Sequence, residues 1–220
     1  SIRKSGKIAI TLKEGDELIS IFKTTGNDNI FLATRNGMAI CFNENDARAV
    51  GRTASGVKAI DLADGDYVVG AEPVREDSKV LLVTDGGYGK CTDLTSFRIQ
   101  HRGGKGLKAY KITEKTGNII GISMVNDSEE LIMVTSEGVV IRIRIKDIAT
   151  TTGRITQGVR LINLNDGVTV VSMDKISSED TVEEESEDYD GLYNVSEKTI
   201  SLVNKNQGIG IEDIKKEQDI

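Results

Sequence analysis

The sequence predicts an all-β, propeller-like fold built from four-stranded units about 50 residues long. Two registers and one feature of composition predict it. A glycine opens the same phrase four times: Gly6 (Gly-Lys-Ile-Ala-Ile), Gly56 (Gly-Val-Lys-Ala-Ile), Gly106 (Gly-Leu-Lys-Ala-Tyr) and Gly158 (Gly-Val-Arg-Leu-Ile), at intervals of 50, 50 and 52 residues. Thr34, Thr84 and Thr135 each close a short apolar run and are followed three residues later by Gly37, Gly87 and Gly138, at intervals of 50 and 51. Such periods signal one supersecondary unit repeated. The 23 glycines fall between short β-branched runs, which places tight turns between strands.

Residues 1–22 supply only the back half of a unit: a strand from Gly6 to Leu12, a turn at Glu14-Gly15-Asp16 and a strand from Leu18 to Phe22. A half-unit leaves strand edges unpaired, so upstream sequence is expected to complete it. The first full unit covers about 29–74. Ile30 to Thr34 suits a buried strand, and Arg35-Asn36-Gly37 a turn, because Asn and Gly tolerate positive φ. Met38 to Phe42 is a second strand, Asn43 to Ser55 a long polar connection and Val57 to Leu62 a third strand. After a turn at Ala63 to Asp66 comes a fourth strand, Tyr67 to Val74. Units at about 80–125 and 131–176 repeat the scheme, giving blades over 1–176 that make up part of a ring. Helix periodicity is weak, with one short turn expected near Asp147.

Between Glu179 and Asp190, eight of twelve residues are Asp or Glu. Such a run repels itself and buries no core, so 177–199 is expected to be a disordered acidic tail. Ile200 to Ile211 loosely echoes the front half of a unit; for 200–220, a closing strand and a frayed tail both stay open.

The net charge of −7 conceals a division. Residues 177–220 hold 13 acidic and 4 basic side chains, a net of −9, which leaves 1–176 at +2. No apolar stretch approaches the ~20 residues of a membrane span, and no signal peptide is visible. No membrane partner is expected. Cys41 and Cys91 occupy the same position in successive units, which should exceed the ~7 Å Cα limit of a disulfide. Free thiols and a reducing, cytoplasmic setting follow. Two isolated cysteines and one histidine cannot build a four-ligand zinc site, and with His101 the only histidine most His-centred triads and metal sites are removed. Gly103-Gly104-Lys105-Gly106 lacks the spacing of a phosphate loop. No catalytic residue, metal or cofactor is expected in this chain.

The long connections carry the informative chemistry. Four residues before the signature glycine stand Arg52, Arg102 and Arg154; two after it stand Lys58, Lys108 and Arg160. Eight before it stand Arg48 and Arg98, with Thr150 in the third unit. Cations repeated by one blade make a stripe along a β-array, which suits the regular charge of duplex DNA. The glycines and small polar residues nearby let backbone amides approach phosphates. Few aromatics accompany the stripe, which disfavours single strands. No base-reading helix is evident, so binding by backbone and bendability is expected.

Gln100-His101-Arg102-Gly103-Gly104-Lys105-Gly106 resembles the box motif of the DNA gyrase A family, Q-R-R-G-G-K-G, with His101 in place of an arginine. Gly86 to Lys90, Arg52 to Ile60 and Thr152 to Arg160 are also similar to phrases of that family's C-terminal domain. The resemblance implies a β-pinwheel: a disc of blades that exchange strands and wrap duplex DNA on a basic outer rim, serving negative supercoiling. It implies rim contacts from the column cations together with Gln100, His101 and Lys105. It also implies a non-catalytic domain of an ATP-dependent type IIA topoisomerase, partnered by the remainder of the DNA gyrase A protein and by DNA gyrase B, and monomeric in isolation. The equivalent domain of topoisomerase IV is an alternative, and a protein-interaction propeller is an alternative of a different class.

Overall fold

The computed structural model describes residues 9–51 and 53–177. The expectations for 1–8, Arg52 and the acidic tail beyond Ser177 lie outside the described residues. The fold is all-β, and no α-helix occurs among the described residues.

The first unit opens with β1 (Asn29–Thr34) and β2 (Met38–Asn43), paired antiparallel so that Leu32 faces Ile40. The turn between them explains the threonine register. Gly37 (φ +88°) donates its N–H to the Thr34 carbonyl at 3.1 Å. Thr34 Oγ1 accepts the Met38 N–H at 3.2 Å. Thr84 and Thr135 accept from Tyr88 and Val139 in the same way. All three threonines are buried, so the hydroxyl must find a partner, and the turn supplies one.

β3 (Val68–Pro73) adds to the free side of β1, with a register shift after Ala33. The second unit repeats this with β4 (Lys79–Thr84), β5 (Tyr88–Asp93) and, after the connection containing β6 (Leu107–Lys108), β7 (Ile119–Val125). The third has β8 (Glu130–Thr135), β9 (Val140–Arg144) and, after β10 (Thr150–Thr151) and β11 (Val159–Arg160), β12 (Val170–Ile176).

The third strand of each unit differs from expectation in length and in partner. Val57 to Leu62 is not a strand. Its counterparts β6 and β11 are two residues each, and they pair with the sheet of the preceding unit: β6 with β2, β11 with β5. β10 also joins β5, in parallel. The sheet orders are therefore β3-β1-β2-β6, β10-β5-β4-β7 with β11 also on β5, and β12-β8-β9. The strands expected from Gly6 to Leu12 and from Leu18 to Phe22 are not strands over the described residues 9–22, and Leu18, Ile19 and Ile21 are exposed. Three short 3-10 turns start the connections: Glu44–Asp46, Leu94–Ser96 and, near Asp147, Ile145–Asp147. Asn43 and Asp93 cap the first two with their side chains.

Alternation along β4 builds the core on both faces. Val80 and Leu82 pack toward the first unit with Phe31, Phe97, Tyr110 and Met124. Leu81 and Val83 pack toward the third with Leu131, Met133, Ile145 and Ile148. Each such side chain contributes roughly 1.5–3 kcal/mol on burial. β3, β7 and β12, each at the end of its sheet order, lie next to one another in succession. Glu72 on β3 accepts from Ser123 Oγ and from the Met124 N–H, both at 3.0 Å, and Lys175 Nζ on β12 donates to the Met124 carbonyl at 2.6 Å. Cys41 and Cys91 are free and buried, and burial pushes each thiol up to about 11.

Candidate nucleic-acid interface

Strand exchange carries the box of the second unit onto the first. The Gln100 N–H donates to the Cys41 carbonyl at 2.7 Å, the Gly103 N–H to Ala59 at 2.6 Å, and the Asp61 N–H to Gly104 at 2.8 Å. Gly106 permits the crossing. Its φ is +73°, and a Cβ there would sit 2.4 Å from the Ala39 carbonyl oxygen, so only glycine fits.

Arg102 locks the segment down. It is half-buried, and its guanidinium donates from Nε to the Asp46 carbonyl and from Nη1 to the Lys58 carbonyl, both at 2.8 Å. Arg154, also half-buried, reaches the Lys108 carbonyl from Nη1 at 3.5 Å. Each of these arginines therefore grips the backbone of the second-column cation one unit earlier. Arg52 of the same column lies outside the described residues.

The second column is exposed at Lys58, Lys108 and Arg160. Lys58 forms an ion pair with Asp61 at 2.5 Å. The hydrogen bond from Lys58, with further attraction from Lys105, holds the Asp61 carboxyl below its usual range. Lys108 stands opposite Met38. Arg160 stands opposite Tyr88 and donates from Nε to its hydroxyl at 3.1 Å and from Nη1 to Asn163 Oδ1 at 2.8 Å. Lys105 is exposed. Arg48 and Arg98, each two residues past a 3-10 turn, are exposed and make no hydrogen bond or ion pair among the described residues.

His101 projects with its side chain 96% exposed, and Nδ1 lies 3.0 Å from Asp46 Oδ2. Gln100 is half-buried, with its Nε2 buried and unpartnered among the described residues. The candidates thus divide. Arg48, Lys58, Arg98, His101, Lys105, Lys108 and Arg160 face solvent, whereas Gln100, Arg102 and Arg154 are half-buried where successive units join.

One residue that shapes the interface is not evident from the sequence. Lys90 is 1% exposed. Its ammonium donates to the carbonyls of Gly153 at 3.2 Å and Arg154 at 2.5 Å and to Thr156 Oγ1 at 3.1 Å, and lies 5.3 Å from the Tyr110 ring centroid. Burial, with repulsion from Arg154, pushes it down to about 8. Tyr110 completes the anchor by donating to the Gln157 carbonyl at 2.5 Å. The available signal is a lysine where the other units place Ile40 and Ile141, inside an otherwise apolar strand register.

Among the described residues, no three His, Cys, Asp or Glu side chains gather as a metal site requires. No helix there is long and apolar enough to cross a membrane.

The family described as "DNA gyrase C-terminal domain, beta-propeller" matches residues 1–25, 28–75, 78–126 and 129–177. The chain is 55% identical over 195 residues to the A subunit of DNA gyrase from Halalkalibacterium halodurans, covering 86% of this chain and 23% of that protein. Among solved structures, a C-terminal domain of DNA topoisomerase IV is similar with a TM-score of 0.74 and 28% identity, over 78% of this chain and 54% of the other. A DNA gyrase A C-terminal domain gives 0.70 and 27%, over 78% and 58%. The chain spans 20–24% of the length of the curated relatives it matches.

Proposed function

The chain belongs to the DNA gyrase C-terminal domain family, a β-propeller fold, and from this premise we propose that it binds duplex DNA without sequence preference and bends it along its cationic edge. On this reading it is a non-catalytic module of a type IIA topoisomerase, serving negative supercoiling together with the remainder of the DNA gyrase A protein and with DNA gyrase B. The carrying observation is the exposed set Arg48, Arg98, Lys105, Lys108 and Arg160, set on successive connections and exchanged strands. Phosphate contacts of this kind position DNA without reading it. No helix is available among the described residues to enter a groove, so sequence enters through bendability. The near-complete box at 100–106 favours gyrase over topoisomerase IV.

The test is a salt titration of the full chain on random-sequence duplex DNA. Five phosphate contacts give a log–log slope of about −4.5. A slope near zero, or equal affinity for a neutral polymer, ends this reading.

A further inference from the structure

We propose that Lys115, which lies outside the repeating cation columns, joins the column cation Arg160 across the ring of Tyr88 to form a single phosphate clamp. The proposal rests on the duplex-DNA reading above and adds a contact that the repeat does not supply.

The clamp originates in a local irregularity of the sequence. From Ile112 to Gly117 the turn is two residues longer than from Leu62 to Gly65 or from Leu164 to Gly167. The extra length brings in Lys115 and Thr116. Thr116 is fully buried, and its Oγ1 accepts the Thr113 N–H at 3.0 Å. The Gly86 N–H donates to the Thr116 carbonyl at 3.1 Å, and the Asn118 N–H donates to Asp85 Oδ1 at 2.8 Å. The turn is thereby fastened to the hairpin between β4 and β5, and the backbone at Lys115 has a fixed place.

From that place the Lys115 ammonium lies 5.5 Å from the centroid of the Tyr88 ring. The guanidinium of Arg160, on the neighbouring strand, lies 5.6 Å from the same centroid. Two cations converge on one ring, and both residues are exposed. Neither meets a carboxylate within ion-pair distance among the described residues. Glu114, beside Lys115, is exposed and likewise unpaired there. The Tyr88 hydroxyl carries the imprint of this positive field. The Arg160 hydrogen bond, seconded by Lys115 and opposed by burial, lowers it from the ordinary phenol range.

Two unneutralised cations within 6 Å of one ring centroid favour an anion that reaches both, and a phosphate oxygen pair takes charge-assisted hydrogen bonds from each. The other units lack the parts. In the first sheet the paired positions are Met38 and Lys108, and the shorter turn carries Asp64. At the third unit Val139 replaces the tyrosine, and the turn carries Asp166. The clamp is therefore a singular point on a repeating edge, suited to fixing where a DNA backbone docks.

The test measures duplex binding by the full chain, with Lys115→Gln, Arg160→Gln, the double variant and, as a control, the exposed Lys23→Gln. Lys115→Gln is expected to weaken binding about three- to tenfold and to reduce the salt slope by about 0.9. The double variant should lose less than the product of the single effects, because both residues grip one phosphate. Lys115→Gln binding DNA as wild type does, or with losses that multiply independently, overturns the clamp. Titration with inorganic phosphate gives a separate reading through the Tyr88 ring resonances. They should shift in wild type and not in Lys115→Gln, and a shift unaffected by the substitution also overturns it. A wild-type chain that ignores DNA yet shows the Lys115-dependent phosphate shift defeats the DNA reading alone.

Discussion

Nη1 of Arg102 donates to the carbonyl of Lys58 at 2.8 Å, so one column of cations holds the other in place across a blade junction. Arg102 and Arg154 are in this sense fasteners that also carry charge.

Arg102→Ala should therefore cost stability as well as DNA affinity. It strips the carbonyls of Asp46 and Lys58 of their donor, a loss of about 1–3 kcal/mol. At roughly 2–4 °C per kcal/mol for a chain of this size, thermal melting resolves it. Arg98→Ala, which removes an exposed and unbonded side chain, should weaken DNA binding with the midpoint unchanged. Equal midpoints for the two variants would remove the distinction.

Lys90→Met should loosen the 153–156 loop. Three acceptors lose their donor, at about 1–3 kcal/mol. The pH dependence has a definite sign. The folded ammonium titrates at about 8, and an unfolded lysine near 10.4. Between these values the unfolded chain holds more protons, so wild-type stability gains with rising pH. Lys90→Met lacks that gain. Cys41 and Cys91, raised to about 11, oppose it equally in both proteins and cancel in the difference. Denaturant melts at several pH values decide the point: parallel curves would refute it.

Gly106→Ala and Gly138→Ala separate crowding from backbone strain. Both glycines have positive φ, +73° and +79°. An added Cβ at Gly138 meets nothing within 4 Å, so only strain of about 1–3 kcal/mol applies. At Gly106 it meets the Ala39 carbonyl at 2.4 Å, which forces β6 off the first sheet. Gly106→Ala should be clearly the more destabilising and should lower protection of the Leu107 and Lys108 amides from exchange.

Removing residues 178–220 takes away the whole net charge of −9 carried by 177–220. Duplex affinity should rise at low salt and converge with that of the full chain as screening shortens the Debye length to about 3 Å at 1 M. A difference that persists at high salt would contradict an electrostatic competitor.

His101→Arg completes the box and should tighten DNA binding uniformly across sequences, steepening the salt slope by about 0.9. Asp46, 3.0 Å from the present imidazole, would compete for the new charge. Asp46→Asn in the same background should therefore strengthen the effect.

The repeat, the strand pairs and their turns were legible because Thr34, Thr84 and Thr135 and the glycines after them mark a turn that two hydrogen bonds define. The recurrence of Arg98 and Lys108 in register with Arg48 and Lys58 could be read from spacing alone. The partner of the third strand could not be read from the periodicity. Gly106-Leu107-Lys108 has the same text whichever sheet it joins, and only its contact with Ala39 in the preceding unit assigns it. Lys90 stays hidden because a lysine in a strand reads as a solvated face until the loop that covers it is in place. Arg102 groups with the exposed cations because spacing records the side chain's charge and nothing of the carbonyls it meets.

The first two sheets borrow their outermost strands from the repeat that follows each of them. The folding unit is thus offset from the duplicated stretch of sequence, and no single repeat can be excised or swapped without leaving two torn seams. A fragment ending at Val125 would keep the first sheet whole, yet strip the second of everything that β10 and β11 contribute. Chimeras between related chains should accordingly be joined after Lys108 or Arg160, where the borrowed strand has already been delivered.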